Sequence, residues 1–125
     1  MLAVQIHNLK NRVLLRCTGR IVAGEEINIL RSAALGHSNQ HEMVIDLANV
    51  CTLDGAGLGE LAFLEGRMRS AGLRLRIQNP SAHVRELLEL TNLDAVIEIT
   101  ASHEFEQICD TLRQSCAPQR GVAQP

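Results

Sequence analysis

The stretch from Met43 to Gly59, which reads M-V-I-D-L-A-N-V-C-T-L-D-G-A-G-L-G, restricts what the rest of the chain can fold into. It opens with an apolar run that ends at Leu47 and is too continuous for an edge strand. A short connection, Ala48–Leu53, leads to Asp54 and a glycine-bearing turn, and helical spacing begins at Leu58. We therefore predict a central strand, a tight turn and a helix. Backbone amides at such a turn face outward, which makes the turn a candidate site for a partner.

Apolar periodicity on both sides of this stretch predicts the remaining elements. Strands are expected at 2–7, 13–18, 73–77 and 96–99, and helices at 25–36, from Leu58 to Gly72, from Ser81 and from Ser102. Strands separated by helices require crossovers, so the prediction is one α/β domain with a mixed, mostly parallel central sheet of about five strands flanked by about four helices. The first two strands form a hairpin. We place the folded domain at 1–115 and a flexible C-terminal tail at 116–125.

Composition removes several classes of function. The formal net charge of -2 and the aromatic content of 2% argue against nucleic acid as a partner, because such proteins need a basic patch or stacking rings. No apolar run approaches the roughly 20 residues that a membrane span needs. A basic segment followed by an apolar one is absent from the N-terminus, so the sequence predicts no membrane association and a cytoplasmic location.

The sequence offers no catalytic or metal-binding pattern. Its four cysteines form no C-x-x-C pair, and His37 and His41 lie in a polar loop rather than on one helix face. Asp46 and Asp54 are separated by a strand end and a turn, which gives no reason to pair them as catalytic carboxylates. We therefore expect no enzyme activity, no cofactor and no metal.

Within the turn, two interpretations of Asp54 stay open: it caps the helix by accepting backbone amides, or it contacts a partner directly. Gly55 and Gly57 are expected to supply positive φ or a close backbone approach.

Phe63 points to a binding surface on the helix that leaves the turn. It lies roughly 160° from the centre of the apolar stripe, among Glu60 and Arg67. An exposed Phe there is typical of a binding hot spot, whereas the alternative is that it packs under a neighbouring helix. The charges around it, which include Glu65 and Arg69, are typical of a solvated face.

Three segments together resemble the STAS domain of bacterial anti-sigma factor antagonists and of sulfate-transporter C-termini. They are V-I-D-L-A-N-V-C-T-L-D-G-A-G-L-G, L-R-L-R-I-Q-N-P and V-R-E-L-L-E-L-T-N-L-D, and the similarity runs from Leu2 to about Leu112. The resemblance implies a protein-interaction module that binds an ATPase-type anti-sigma factor kinase. A weak homodimer is also left open, and the alternative function is a scaffold or small-ligand sensor within a bacterial signalling complex.

The sequence departs from this family at the residue that is normally regulated. The family's loop usually reads Asp-Ser-Ser/Thr-Gly, and the kinase phosphorylates the second hydroxyl residue. Here neither Gly55 nor Ala56 has a hydroxyl, and Thr52 is the nearest one. We therefore predict binding without this phosphorylation switch. The predicted partner-binding residues are Asp54, Gly55, Ala56, Gly57, Gly59, Glu60, Phe63 and Arg67.

Overall fold

Five strands and three α-helices follow one another in a computed structural model that describes residues 1–37 and 41–100. The elements are β1 Leu2–Asn8, β2 Arg12–Ile21, α1 Glu25–Leu35, β3 Glu42–Leu53, α2 Gly55–Ser70, β4 Arg74–Gln78, α3 Ala82–Leu90, a 3₁₀ turn Leu93–Ala95 and β5 Glu98–Thr100. The fourth helix predicted from Ser102 and the tail predicted at 116–125 lie outside the described residues.

The strands form one mixed sheet in the order β1-β2-β3-β4-β5. The β1 and β2 strands are antiparallel, as the predicted hairpin requires. The later pairs are parallel, and each parallel connection carries a helix. The predicted α/β class and the central position of the strand that begins near Met43 are confirmed.

The main correction concerns the segment Ala48–Leu53, which was predicted as a short connection. It is instead the second half of β3, because β2 also runs further than predicted and pairs with it up to Ile21. Two register shifts in β2 accompany this extension, one beside Gly19, whose φ is 118°. The strand therefore ends directly before the Asp54 turn, and α2 begins at Gly55 rather than at Leu58.

The core contains the predicted apolar stripe of α2, formed by Leu61, Leu64 and Met68. Helical spacing also predicts Ala62 in the apolar stripe of α2 and Leu90 in that of α3, but both are exposed, Leu90 to 73%. Aliphatic side chains from the sheet, from α1 and α3 and from the 3₁₀ turn form most of the remaining core, as expected from the scarcity of aromatic residues.

Candidate functional site

The Asp54 turn is held by the aspartate itself. Its Oδ1 accepts a hydrogen bond from the amide of Gly57 at 2.9 Å, and its Oδ2 accepts one from the amide of Ala23 at 2.9 Å. Its own amide donates to the carbonyl of Ile21. These hydrogen bonds, first that from Ala23 and then that from Gly57, lower the pKa of Asp54. The capping role considered for Asp54 is therefore present, and both carboxylate oxygens are used inside the fold.

The two glycines of the turn differ in what they do. Gly57 is buried, and a Cβ at this position would overlap the carbonyl oxygen of Ile21. Gly57 thus permits the close approach of α2 to the end of β2. Gly55 is exposed, has no positive φ, and its Cβ would meet nothing within 4 Å. The prediction that Gly55 supplies positive φ or a close backbone approach is therefore wrong. At Gly57 the predicted close approach is present, without positive φ.

The first two residues of α2 stand where the family usually has two hydroxyl residues. Gly55 and Ala56 are both exposed. Thr52 is half-buried in β3, and its Oγ1 lies 3.1 Å from Nε2 of His83 at the start of α3. The nearest hydroxyl is therefore not on the exposed helix start but in the preceding strand.

One turn further along α2, the predicted residues separate into two environments. Gly59, Phe63 and Arg67 are exposed. Phe63 keeps 38% of its surface accessible and is not part of the core, although a side chain of α1 lies over its ring. Glu60 is only 3% exposed, so the prediction of a solvated charged face is wrong for this residue. Glu60 is buried because α1 packs over it and supplies a cation.

That cation is Arg31 of α1. Its Nε and Nη2 donate to the two carboxylate oxygens of Glu60 at 3.0 and 2.6 Å. The guanidinium carbon of Arg31 lies 4.5 Å from the ring centroid of Phe63, and that of Arg67 lies 5.8 Å from it. Both distances are within the range of cation–π attraction. The Phe63 ring is therefore contacted by two guanidinium groups, one of which is fixed by a buried carboxylate.

Sequence reasoning missed Arg31. It is 29 residues from Glu60, and only the packing of α1 on α2 brings them together. A polar residue at the edge of an amphipathic helix gives no signal of its partner on another helix.

Asp46 lies in the sheet and has its own set of partners. Its Oδ1 accepts from the amide of Ala48 at 2.9 Å, and its Oδ2 lies 3.7 Å from Nε of Arg16. Burial raises the pKa of Asp46. Asp46 and Asp54 share none of these partners.

Two further properties of the described residues bear on the site. In residues 1–37 and 41–100, no group of three or more His, Cys, Asp or Glu side chains is arranged to hold a metal ion. None of the helices in this part of the chain is long and apolar enough to cross a membrane.

Comparison with known proteins identifies the family. A family model described as "Mlab, STAS domain" matches residues 5–99. The chain therefore belongs to the STAS domain family, as the sequence resemblance predicted. No curated protein sequence matches the chain significantly.

Solved structures with the same fold include anti-sigma factor antagonists and a sulfate transporter family protein. SpoIIAA, an anti-sigma factor antagonist in its unphosphorylated form, has a TM-score of 0.70 and 17% identity over 98% of this chain and 100% of that chain. A putative anti-sigma factor antagonist from Thermotoga maritima has a TM-score of 0.72 and 18% identity over 88% and 94%. A sulfate transporter family protein from Wolinella succinogenes has a TM-score of 0.65 and 11% identity over 83% and 88%. At these identities the likeness concerns the fold.

Proposed function

We propose that the chain is a protein-interaction module that binds an ATPase-type anti-sigma factor kinase through the Asp54 turn and the start of α2. Binding is not regulated by phosphorylation at this turn. The observation that carries the proposal is the exposed pair Gly55 and Ala56, which stands at the outward start of α2 and has no hydroxyl. The similarity of the fold to SpoIIAA supports the class of partner. The proposal concerns binding rather than catalysis, and an ATP-dependent partner implies a cytoplasmic location.

The physical argument for an unswitched site rests on charge. A phosphate on this turn would add about -1.5 to -2 charges beside the carboxylate of Asp54. Such a charge disfavours an apolar or acidic partner surface. Because Ala56 offers no acceptor, the turn keeps one charge state and one binding state whatever the kinase does.

Thr52 does not substitute for the absent acceptor in this proposal. Its hydroxyl is half-buried and contacts His83. A kinase needs an accessible hydroxyl, whereas Thr52 pairs with Arg20 inside the sheet.

Incubation with the anti-sigma factor kinase encoded nearest to this chain's gene, with ATP and Mg²⁺, tests the proposal by intact mass and by calorimetric binding. We expect binding and no added phosphate. Ala56→Ser is the matched variant, because Ala56 is exposed and a hydroxyl fits there. That variant is expected to gain one phosphate and then to lose affinity for the kinase. Stoichiometric phosphate on the wild-type chain, or the absence of binding, contradicts the proposal.

A second candidate function is a scaffold or small-ligand sensor domain within a larger assembly. The observation that favours it is the similar fold of a sulfate transporter family protein, combined with the missing hydroxyl at the turn. A chain that binds no ATPase-type kinase but co-purifies stoichiometrically with a transport or signalling complex supports this second function.

A further inference from the structure

The outward side of α2 exposes its backbone around a single large side chain. Gly59 and Gly66 lie one turn before and one turn after Phe63, and all three are exposed. A Cβ on either glycine would meet nothing within 4 Å, and neither has a positive φ. Glycine weakens a helix relative to alanine, so these two positions lower helix stability, and no contact or dihedral angle within residues 1–37 and 41–100 explains their presence. Bare backbone at both positions lets another element approach α2 closely.

The ring of Phe63 is pre-positioned for contact. Arg31 lies over it and is itself held by two hydrogen bonds to the buried carboxylate of Glu60. Since the ring is already restrained in the free protein, a partner that contacts it loses less side-chain entropy than it would at a mobile ring. Phe63 keeps 38% of its surface exposed for that contact.

Arg67 supplies a positive charge beside the ring. Seven arginines of the described residues form ion pairs with carboxylates: Arg12, Arg16, Arg31, Arg69, Arg74, Arg76 and Arg85. Arg67 forms none within residues 1–37 and 41–100, and its guanidinium instead faces Phe63. A carboxylate arriving from outside would find there an exposed arginine with planar donors for bidentate binding.

We propose that this surface, the α2 face of Gly59, Phe63, Gly66 and Arg67, binds an acidic helix of a partner protein. An apolar side chain of that helix covers Phe63, a carboxylate pairs with Arg67, and the glycines allow the two helix backbones to approach closely. The inference rests on the proposed function, because the acidic helix belongs to the protein that the Asp54 turn binds. It adds the chemical character of that protein's contact surface.

A designed peptide tests the α2 face without the kinase. The probe is a blocked, alanine-rich helical peptide with one leucine and two glutamates one turn apart, and its control has glutamines in place of the glutamates. Each is titrated into the ¹⁵N-labelled full chain and followed by amide chemical shifts. We expect the acidic peptide to shift amides of α2 and to bind about tenfold more tightly than the glutamine peptide. Arg67→Gln is expected to remove this preference, and Phe63→Ala to weaken both peptides.

Arg85→Gln is the matched control, because Arg85 is an exposed arginine of α3 whose carboxylate partner is Glu89. Equal binding of the two peptides, shifts outside α2, or an equal loss in Arg85→Gln overturns the inference. Shifts of α2 amides that depend on protein concentration alone would instead assign the face to a second copy of the chain. Arg67-dependent sedimentation with phosphatidylglycerol vesicles, without a response to the acidic peptide, would assign it to an anionic lipid surface. Because no kinase is present, these outcomes are independent of the test of the Asp54 turn.

Discussion

The Asp54 turn and the α2 face are neighbours on one helix, yet they use their chemical groups in opposite ways. At the turn, both oxygens of Asp54 accept amides of the same chain, and Gly57 is packed against the carbonyl of Ile21. On the α2 face, a Cβ added at Gly59 would meet no described atom within 4 Å, and Arg67 has no ion pair within the described residues. The turn is therefore a structural joint that fixes where α2 begins. The face leaves part of the Phe63 ring and the Arg67 guanidinium accessible to a partner. Substitutions of Asp54 and Gly57 should therefore lower stability, whereas substitutions on the face should act mainly on binding.

Gly57→Ala is expected to have the largest effect. Its methyl group would overlap the Ile21 carbonyl, so α2 has to shift, at a cost of about 3 kcal/mol in the free energy of unfolding. Urea denaturation followed by circular dichroism measures this. Gly55→Ala is the matched control and should leave stability within about 0.5 kcal/mol of wild type, because its Cβ meets open space. Similar losses in the two variants would show that the turn is not a tightly packed joint.

Glu60→Gln tests the buried support of the α2 face. The amide group retains one acceptor for Arg31 but presents N–H donors to a guanidinium, so we expect a loss of about 1–3 kcal/mol in the free energy of unfolding. Arg31 then no longer holds the Phe63 ring, and affinity for the acidic peptide should fall as well. Glu65→Gln is the control, because it removes an i,i+4 pair with the exposed Arg69, worth only about 0.3–0.5 kcal/mol. A Glu60 variant as stable as the Glu65 variant contradicts the supporting role.

Asp54→Ala should lower the melting temperature in a pH-dependent manner. The pKa of Asp54 is lower in the folded than in the unfolded protein. The ionised carboxylate therefore stabilises the fold above the unfolded pKa, and this stabilisation is lost as pH falls through the folded pKa. The difference between wild type and variant should be constant from neutral pH down to about pH 5 and should shrink below about pH 4. Thermal melts across this range measure it. A difference that does not change with pH would show that the carboxylate charge is irrelevant to the cap.

Asp46→Asn is a control, because its effect on stability should depend on pH in the direction opposite to that of Asp54→Ala. Burial raises the folded pKa of Asp46, so its charged form costs stability as pH rises through that pKa. The asparagine variant should gain relative to wild type toward neutral pH, where the Asp54 variant loses.

Gly59→Ala and Gly66→Ala should have the smallest effect on stability, and of the opposite sign. Each removes a glycine from an exposed helix interior and should raise the free energy of unfolding by about 0.5–1 kcal/mol. The same methyl groups would keep an approaching helix away, so affinity for the acidic peptide should fall. Ser70→Ala, at the exposed end of α2, is the control that should leave the affinity unchanged. Tighter peptide binding by the more stable glycine variants would refute close backbone approach at the α2 face.

Local features such as helix caps could be predicted from the sequence, whereas contacts between residues far apart in the chain could not. The capping interpretation of Asp54 follows from a residue type that accepts a backbone amide within three residues, and this cap is present. Ser81, where the sequence predicts the start of a helix, caps α3 in the same way. Helical periodicity predicted that Phe63 lies away from the apolar stripe of α2 but left open whether it packs beneath a neighbouring helix; the side chain is 38% exposed. The burial of Glu60 does not, because it depends on Arg31 from another helix.

The length of β3 escaped prediction for a similar reason. Residues 48–53 carry little alternation of their own, and they extend because the end of β2 offers them pairing partners across two register shifts. A strand whose extent is set by its neighbour has no complete signal in its own residues.

The order of the sheet has a consequence for how the molecule is made. Each strand pairs with the strand that precedes it along the chain, so no strand of the sheet waits for a later one before it can dock. The β1–β2 hairpin can form as soon as it leaves the ribosome and then act as a template to which each strand–helix unit is added in turn. The topology therefore allows synthesis and assembly to proceed in the same direction, and the hydrogen bond from the Asp54 amide to Ile21 requires the end of β2 to be in place.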